Sequence, residues 1–114
     1  MSSNENNNED IEATDHEVVD EIIDLAEYAS RGAKPPKAKG YRIRVNRDHY
    51  VFVETNPTRE NILEKAGLVP VDTWTLRLKL HGGAFDRIEK GERVDLTRHG
   101  VEKFKALPND QTEG

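Results

Sequence analysis

Cysteine is absent from all 114 residues. That excludes a disulfide framework, a thiolate nucleophile, a thiolate zinc site and a cysteine-ligated iron–sulfur cluster. No window approaches the ~18 consecutive apolar residues of a membrane-spanning helix. The opening MSSNENNNEDIEATD lacks the basic start and the apolar stretch of a secretory signal. Both absences point to a cytoplasmic protein that does not enter a membrane. Apolar residues are scarce as well, at 34% against roughly 45–50% in ordinary globular domains, so part of the chain must lack a core.

The deficit is local. Residues 1–40 hold ten acids and four bases, whereas residues 41–114 hold 12 acids and 13 bases, so the net charge of −5 arises in the first third. Residues 1–13 offer little to bury and read as a disordered acidic tail. Residues 14–31 read as an amphipathic acidic helix. Thr14 and Glu17 have capping-box spacing; Val18, Val19, Ile22, Ile23, Leu25, Ala26 and Ala29 share one helical face, and the acids share the other. Gly32 suits a left-handed helix end. Residues 32–40 then read as a linker, extended by Pro35 and Pro36 and solvated by Lys34, Lys37 and Lys39.

From Tyr41 to Leu107 the pattern is that of a small α+β domain. Tyr41, Ile43 and Val45 alternate with Arg42 and Arg44, which predicts a strand; Asn46 to His49 turn the chain, and Tyr50 to Glu54 return it. Asn56 and Pro57 look like the cap and first residue of a helix that carries Ile62, Leu63 and Ala66 inward and stops at Gly67. Trp74, Leu76, Leu78 and Leu80 alternate with Thr75, Arg77 and Lys79 in the clearest strand. A turn at Gly82-Gly83, a short edge strand from Ala84 to Ile88, a short segment from Glu92 to Leu96 and a last strand from Glu102 to Leu107 complete the order. Ile62, Leu63, Trp74, Leu76, Leu78 and Phe104 are the expected core.

That order, with the segments YRIRVNRDHYVFVETNPTRENILEKAGLVP, LRLKLHGG and ERVDLTRHGVEKFKAL, resembles the bacterial multiubiquitin-type ubiquitin-like domain. The resemblance is carried by Tyr41-x-Ile43, by Ile62-Leu63 with Ala66-Gly67, by Val94-Asp95-Leu96 and by Gly100 to Phe104. It implies a β-grasp fold, a mixed sheet of four or five strands wrapped around one helix, here with an acidic N-terminal extension. It also implies a protein modifier rather than an enzyme. The partners would be ubiquitin-activating-like and conjugating-like enzymes and a deconjugating metalloprotease, and no cofactor is implied. In that role the carboxylate of Gly114 would be adenylated and passed to a target, and residues 108–114 would form a loose tail reaching ~23 Å at ~3.3 Å each. Glu113 departs from the second glycine that ubiquitin has at this place. The same ending also fits a polar terminus that finishes in glycine by chance. A non-conjugated adaptor on the same fold is the alternative. Processing at Gly82-Gly83 would remove the last strand, so that pair reads as a turn.

If Phe104 faces the helix in such a sheet, then Arg42, Arg44, Arg77, Lys79, Lys103 and Lys105 project together from the open face. They form a candidate partner-binding surface of one sign; a merely solvated outer face would show the same alternation. The apolar stripe Val18, Ile22, Ile23 and Leu25 is a second candidate surface, for the body of the domain or for self-association. VVDEIIDL also resembles the acid-flanked aliphatic segments that add as a strand to the sheet edge of SUMO-like proteins, and the helical and extended readings compete. Nucleic-acid binding is a more distant alternative. The overall charge opposes it, and Trp74 alternates with core leucines. Catalysis is disfavoured, because His16, His49, His81 and His99 lack metal-ligand spacing and the serines lie outside the domain, at Ser2, Ser3 and Ser30.

Overall fold

The computed structural model describes residues 18–109. They form β1 (Val19–Asp24), α1 (Leu25–Ser30), β2 (Ala38–Val45), β3 (Asp48–Phe52), α2 (Arg59–Lys65), β4 (Trp74–Leu80), β5 (Phe85–Ile88) and β6 (Val101–Pro108). A single mixed sheet of six strands runs in the order β1-β2-β6-β4-β5, with β3 also paired to β2. β2 and β6 are parallel, with Val45 beside Phe104, while β4 pairs antiparallel with both β6 and β5. This is the compact α+β arrangement of a β-grasp, with one strand more than the expected four or five.

The alternation that marks β2, β4 and β6 decides which side is buried. Tyr41, Ile43, Val45, Leu76, Leu78, Phe104 and Ala106 are buried on one side and close over Ile62 and Leu63 of α2. Trp74, expected in the core, is half-buried at the end of β4, opposite Pro108. The helix cap differs from expectation by two residues: Thr58, not Asn56, is the N-cap. Its hydroxyl accepts from the Asn61 backbone at 3.0 Å, and its own backbone N–H donates to the Asn61 side chain at 3.1 Å. That reciprocal pair satisfies two donors at once, which a cap at Asn56 would not. The segment around Glu92 to Leu96 pairs only through an isolated bridge, Thr58 to Arg93. It runs beside the helix entry, with Val94 donating to Pro57 and Leu96 to Thr55, and buries both apolar side chains.

The largest departure is at the N-terminal side. Residues 19–24 are a strand, not the middle of a helix, and among the described residues of this stretch helix is confined to Leu25–Ser30; the Thr14–Glu17 cap lies outside the described residues. β1 pairs parallel with β2 through Ile22–Gly40, Ile23–Tyr41 and Asp24–Arg42. Since β3 pairs with Tyr41 and Arg42 from the other side, β1 occupies the same edge of β2 as β6 and fills the part that β6 leaves bare. Backbone groups along that half-edge pair with β1, whereas an isolated helix of about this length is marginal in water. The β-branched Val18, Val19, Ile22 and Ile23 also favour extended backbone over helix. Gly40 permits the close approach: a Cβ there would stand 3.2 Å from both Ile22 Cγ1 and Val51 Cγ1.

The expected linker is likewise part of the body. Ala38 to Gly40 open β2, Pro35 is buried, and Lys34 Nζ donates to the Thr97 carbonyl at 2.6 Å. Asp24 caps α1 through its carboxylate, and Gly32, at φ 69, ends it as expected.

Asn46, at φ 58, blunts the sheet where β2 stops. Its side-chain amide donates to Ala106 O at 3.3 Å and its carbonyl accepts from Ala106 N at 2.9 Å, replacing one missing ladder step on β6. Satisfied backbone groups at this edge leave fewer free for pairing with another chain.

Two carboxylates tie loops to the body. Burial pulls the Glu60 carboxyl upward, but backbone N–H groups of Glu60 and Gly91 and the Arg59 guanidinium outweigh it and hold the pKa below the ordinary value. Burial acts the same way on Asp95, where the Thr97 hydroxyl and backbone N–H, with Lys34 and Arg98, prevail and lower it. Depressed folded-state values mean that the unfolded chain binds more protons near its own carboxylate range of about 3.9–4.3. The stabilisation is therefore complete above that range and lost as the pH falls through the lowered values. Asp95→Asn is expected to reduce stability at neutral pH and to flatten the acid side of the profile, as read by urea denaturation at a series of pH values. An unchanged acid limb would refute this.

Candidate partner-binding face

The strand register assigns the outer face residue by residue. Arg77 lies directly opposite Lys105 on one side and Arg87 on the other; Lys79 lies opposite Lys103 and Phe85. Stepping back one residue from the Val45–Phe104 pair puts Arg44 beside Lys103, and Arg44 faces His49 on β3. Arg42 continues the face toward β1, where Asp24 Oδ2 lies 3.6 Å from its guanidinium. All six sequence-predicted bases thus project from one side of the sheet. Five of them, with Arg87, form two cross-strand rows, Arg87–Arg77–Lys105 and Lys79–Lys103–Arg44.

Arg87 belongs to this face and was not singled out in the sequence, where β5 reads only as a short edge strand. The alternation of Phe85 and Arg87 with Asp86 and Ile88 is the signal that points to it. Acidic neighbours are few. Lys79 Nζ lies 3.3 Å from Glu102 Oε1 and 5.9 Å from the Phe85 ring centre, and Arg87 Nε is 3.7 Å from Glu89. Among the described residues, Arg44, Arg77, Lys103 and Lys105 have no carboxylate within ion-pair distance. Like charges directly opposite across a sheet are destabilising, so this face is arranged against its own folding interest. A groove of about 520 Å³ beside the end of β2 adds Arg47 and the acid Asp48 to the walls formed by Lys103 and Lys105. No group of acids and histidines able to hold a metal ion occurs among the described residues.

The second predicted surface does not exist as a stripe. Strand periodicity divides it: Ile23 and Leu25 are 5% and 1% exposed in the domain's own core, while Val18 and Ile22 are 57% and 45% exposed. Ile23 and Leu25 are spent on the fold and are not available to a partner. Gly114 lies outside the described residues. The expected tail is shorter than residues 108–114, because Pro108 still pairs with Trp74 and the Asn109 side chain is clamped. Thr75 Oγ1 donates to Asn109 Oδ1 at 2.7 Å, and Asn109 Nδ2 donates to Asp72 O at 2.8 Å.

The arrangement of a mixed sheet, one helix packed within its curve and a last strand between β2 and β4 can be set beside known families. The multiubiquitin family model matches residues 41–109, which is more than half of the chain. The chain belongs to the multiubiquitin family. No curated protein and no solved structure matches it. The match to the multiubiquitin model begins at Tyr41, so β1, α1 and the first three residues of β2 lie outside it although Ile23, Leu25, Ala29 and Ala38 are buried with the rest. The multiubiquitin match ends at Asn109, the clamped residue. No helix among the described residues is long and apolar enough to cross a membrane.

Proposed function

We propose that this multiubiquitin-family chain is a ubiquitin-like protein modifier. The observation that supports this best is the placement of β6, which runs through the interior of the sheet between β2 and β4 and ends in the Asn109 clamp. A rigid base of this kind presents whatever follows it at a defined point. The five residues after Asn109 span at most ~17 Å at ~3.3 Å each. In the reaction, a carboxylate oxygen of Gly114 attacks the α-phosphorus of ATP and pyrophosphate leaves. The thiolate of an activating enzyme then displaces AMP to form a thioester, and an amine or hydroxyl on the target displaces that thiol. Glycine at the reacting end keeps the carbonyl uncrowded, while Glu113 demands an activating enzyme with room for a charged side chain. The domain contributes recognition and presentation, and the enzymes contribute catalysis.

Incubation with its activating enzyme and ATP is expected to yield a thiol-sensitive adduct that disappears when Gly114 is deleted. Absence of an adduct from the intact chain would overturn the modifier reading. It would favour a second one, a non-conjugated adaptor that docks protein partners on the basic face. The unneutralised rows Arg87–Arg77–Lys105 and Lys79–Lys103–Arg44 support that alternative. Nucleic-acid binding has less support, because Trp74 sits on the buried side of β4 rather than among these bases.

A further inference from the structure

Three strands keep one side without a partner strand among the described residues: β1, β3 and β5. Past β2 the edge of β6 is closed, because it meets the Asn46 amide at Ala106 and then Pro108, which has no N–H. The three open sides differ in chemistry. β1 carries Asp20, Glu21 and Asp24, and on the outer face β3 carries His49 and Val51. There β5 carries Phe85 and Arg87, and it begins the row Arg87–Arg77–Lys105. Lys79 Nζ lies 5.9 Å from the Phe85 ring centre, so ring and bases share a side, and the ring is 45% exposed.

Backbone groups on β5 are open as well. The Leu80 N–H donates to Ala84 O at 2.9 Å, which marks that pair as a hydrogen-bonded one. Antiparallel pairs alternate, so Asp86 and Ile88 bond toward β4, and the N–H and C=O groups of Phe85 and Arg87 look outward. Glu89, next in that series, is already satisfied. Its N–H donates to Glu92 Oε1 at 2.7 Å, and its carbonyl accepts from the Glu92 N–H at 2.9 Å. The open edge is therefore Phe85 and Arg87, with an N–H and a C=O from each.

We propose that β5 takes an extended, acid-bearing segment of a partner protein as an additional strand. Charge complementarity decides the occupant. An acid set beside Arg87, with Arg77 one strand further in, relieves a row in which base opposes base, and an aliphatic side chain two residues away covers Phe85. Between those positions the segment turns one side chain to the opposite face, beside Asp86. An acid there is repelled. The sequence recognised is thus an aliphatic residue and an acid two apart, with a non-acidic residue between them, and the spacing serves either strand direction. Glu89, 3.7 Å from Arg87, competes with the incoming acid only from an exposed position, where an ion pair is weak. Bases on a short edge strand deter a second copy of that edge and attract this segment. The docking needs no conjugation at Gly114, so it stands or falls apart from the adduct assay.

The test uses the full chain and blocked synthetic peptides. The first is Ser-Thr-Val-Thr-Glu-Thr-Ser. Its isomer Ser-Thr-Val-Glu-Thr-Thr-Ser turns the glutamate toward Asp86, and a third peptide has lysine in place of the first peptide's glutamate. With the first peptide at about nine-tenths saturation, the Phe85 and Arg87 amides are expected to exchange their hydrogens about ten-fold more slowly, since exchange proceeds from the open edge. The first peptide should bind about two- to five-fold more tightly than its isomer, the size of one exposed ion pair. Arg87→Glu should reverse the preference and favour the lysine peptide, and Phe85→Ser should weaken both. Equal affinity of the two isomers, or protection at His49 and Val51 in place of Phe85 and Arg87, would overturn the proposal. So would protection that appears without peptide and grows with protein concentration, which would place a second copy at the edge. Tighter binding of a short oligothymidylate than of the first peptide would overturn it too, by assigning these bases to nucleic acid. The isomer comparison on the unaltered chain remains decisive if the Arg87→Glu chain does not fold.

Discussion

Leu25→Ala is expected to cost about 3 kcal/mol of folding stability, within the range for truncating a fully buried leucine. Leu25 is outside the part of the chain that matches the family model, and a reading of the domain as beginning at Tyr41 gives it no structural part. In the structure it is 1% exposed and belongs to the same cluster as Tyr41, Phe104 and Leu76. It is fixed there by the strand before it and the helix turn after it, where Asp24 accepts from Ala26 at 3.0 Å. Val18→Ala supplies the control, since an exposed side chain ordinarily changes stability by less than about 0.5 kcal/mol. Urea denaturation of the two variants against the parent separates the cases. Equal, small effects would mean that residues 18–30 are an appendage. A small domain has only about 5–15 kcal/mol to lose, so the Leu25 variant should also melt well below the parent.

Arg59→Ala is expected to destabilise by a similar amount, about 3 kcal/mol, for a different reason. The Arg59 side chain is buried at the first residue of α2, where Nη2 donates to Val71 O at 3.1 Å and Trp74 O at 2.6 Å, and Nη1 to Glu60 Oε2 at 2.8 Å. Truncation removes the donor to both carbonyls, and a buried acceptor left without a partner costs about 1–3 kcal/mol. It also deprives the Glu60 carboxylate of its cationic neighbour. Lysine has a compact ammonium in place of a planar fork, so Arg59→Lys should recover part of the loss, not all. Denaturation midpoints in the order parent, Arg59→Lys, Arg59→Ala test this. Near-equality of the parent and the alanine variant would show that the carbonyls find other partners.

The basic face was legible because its residues alternate with a core that the same periodicity identifies. Once Leu76, Leu78 and Phe104 are inward, Arg77, Lys79, Lys103 and Lys105 must be outward. The position of Arg87 was less legible because a four-residue edge strand offers too few alternations to fix its register without a neighbour. The α2 cap was misplaced for a related reason: Asn56-Pro57 has good start chemistry, but the reciprocal bonds of Thr58 and Asn61 satisfy one more donor.

Composition and alternation alone specified the order of elements from Tyr41 onward, the side of each long strand that is buried, and the concentration of acid in the first third of the chain. Those features depend on side-chain chemistry within a few residues of one another. The fate of VVDEIIDL did not, because an aliphatic run of this kind satisfies both a helical and an extended period, and its preference is set by what lies beside it. The half-edge of β2 that β6 leaves uncovered is formed by segments far apart in sequence, and it offers backbone partners only to an extended strand. That contact turns half of a predicted recognition stripe into core, burying Ile23 and Leu25 while Val18 and Ile22 stay exposed, and it brings Asp24 to the border of a face crowded with positive charge.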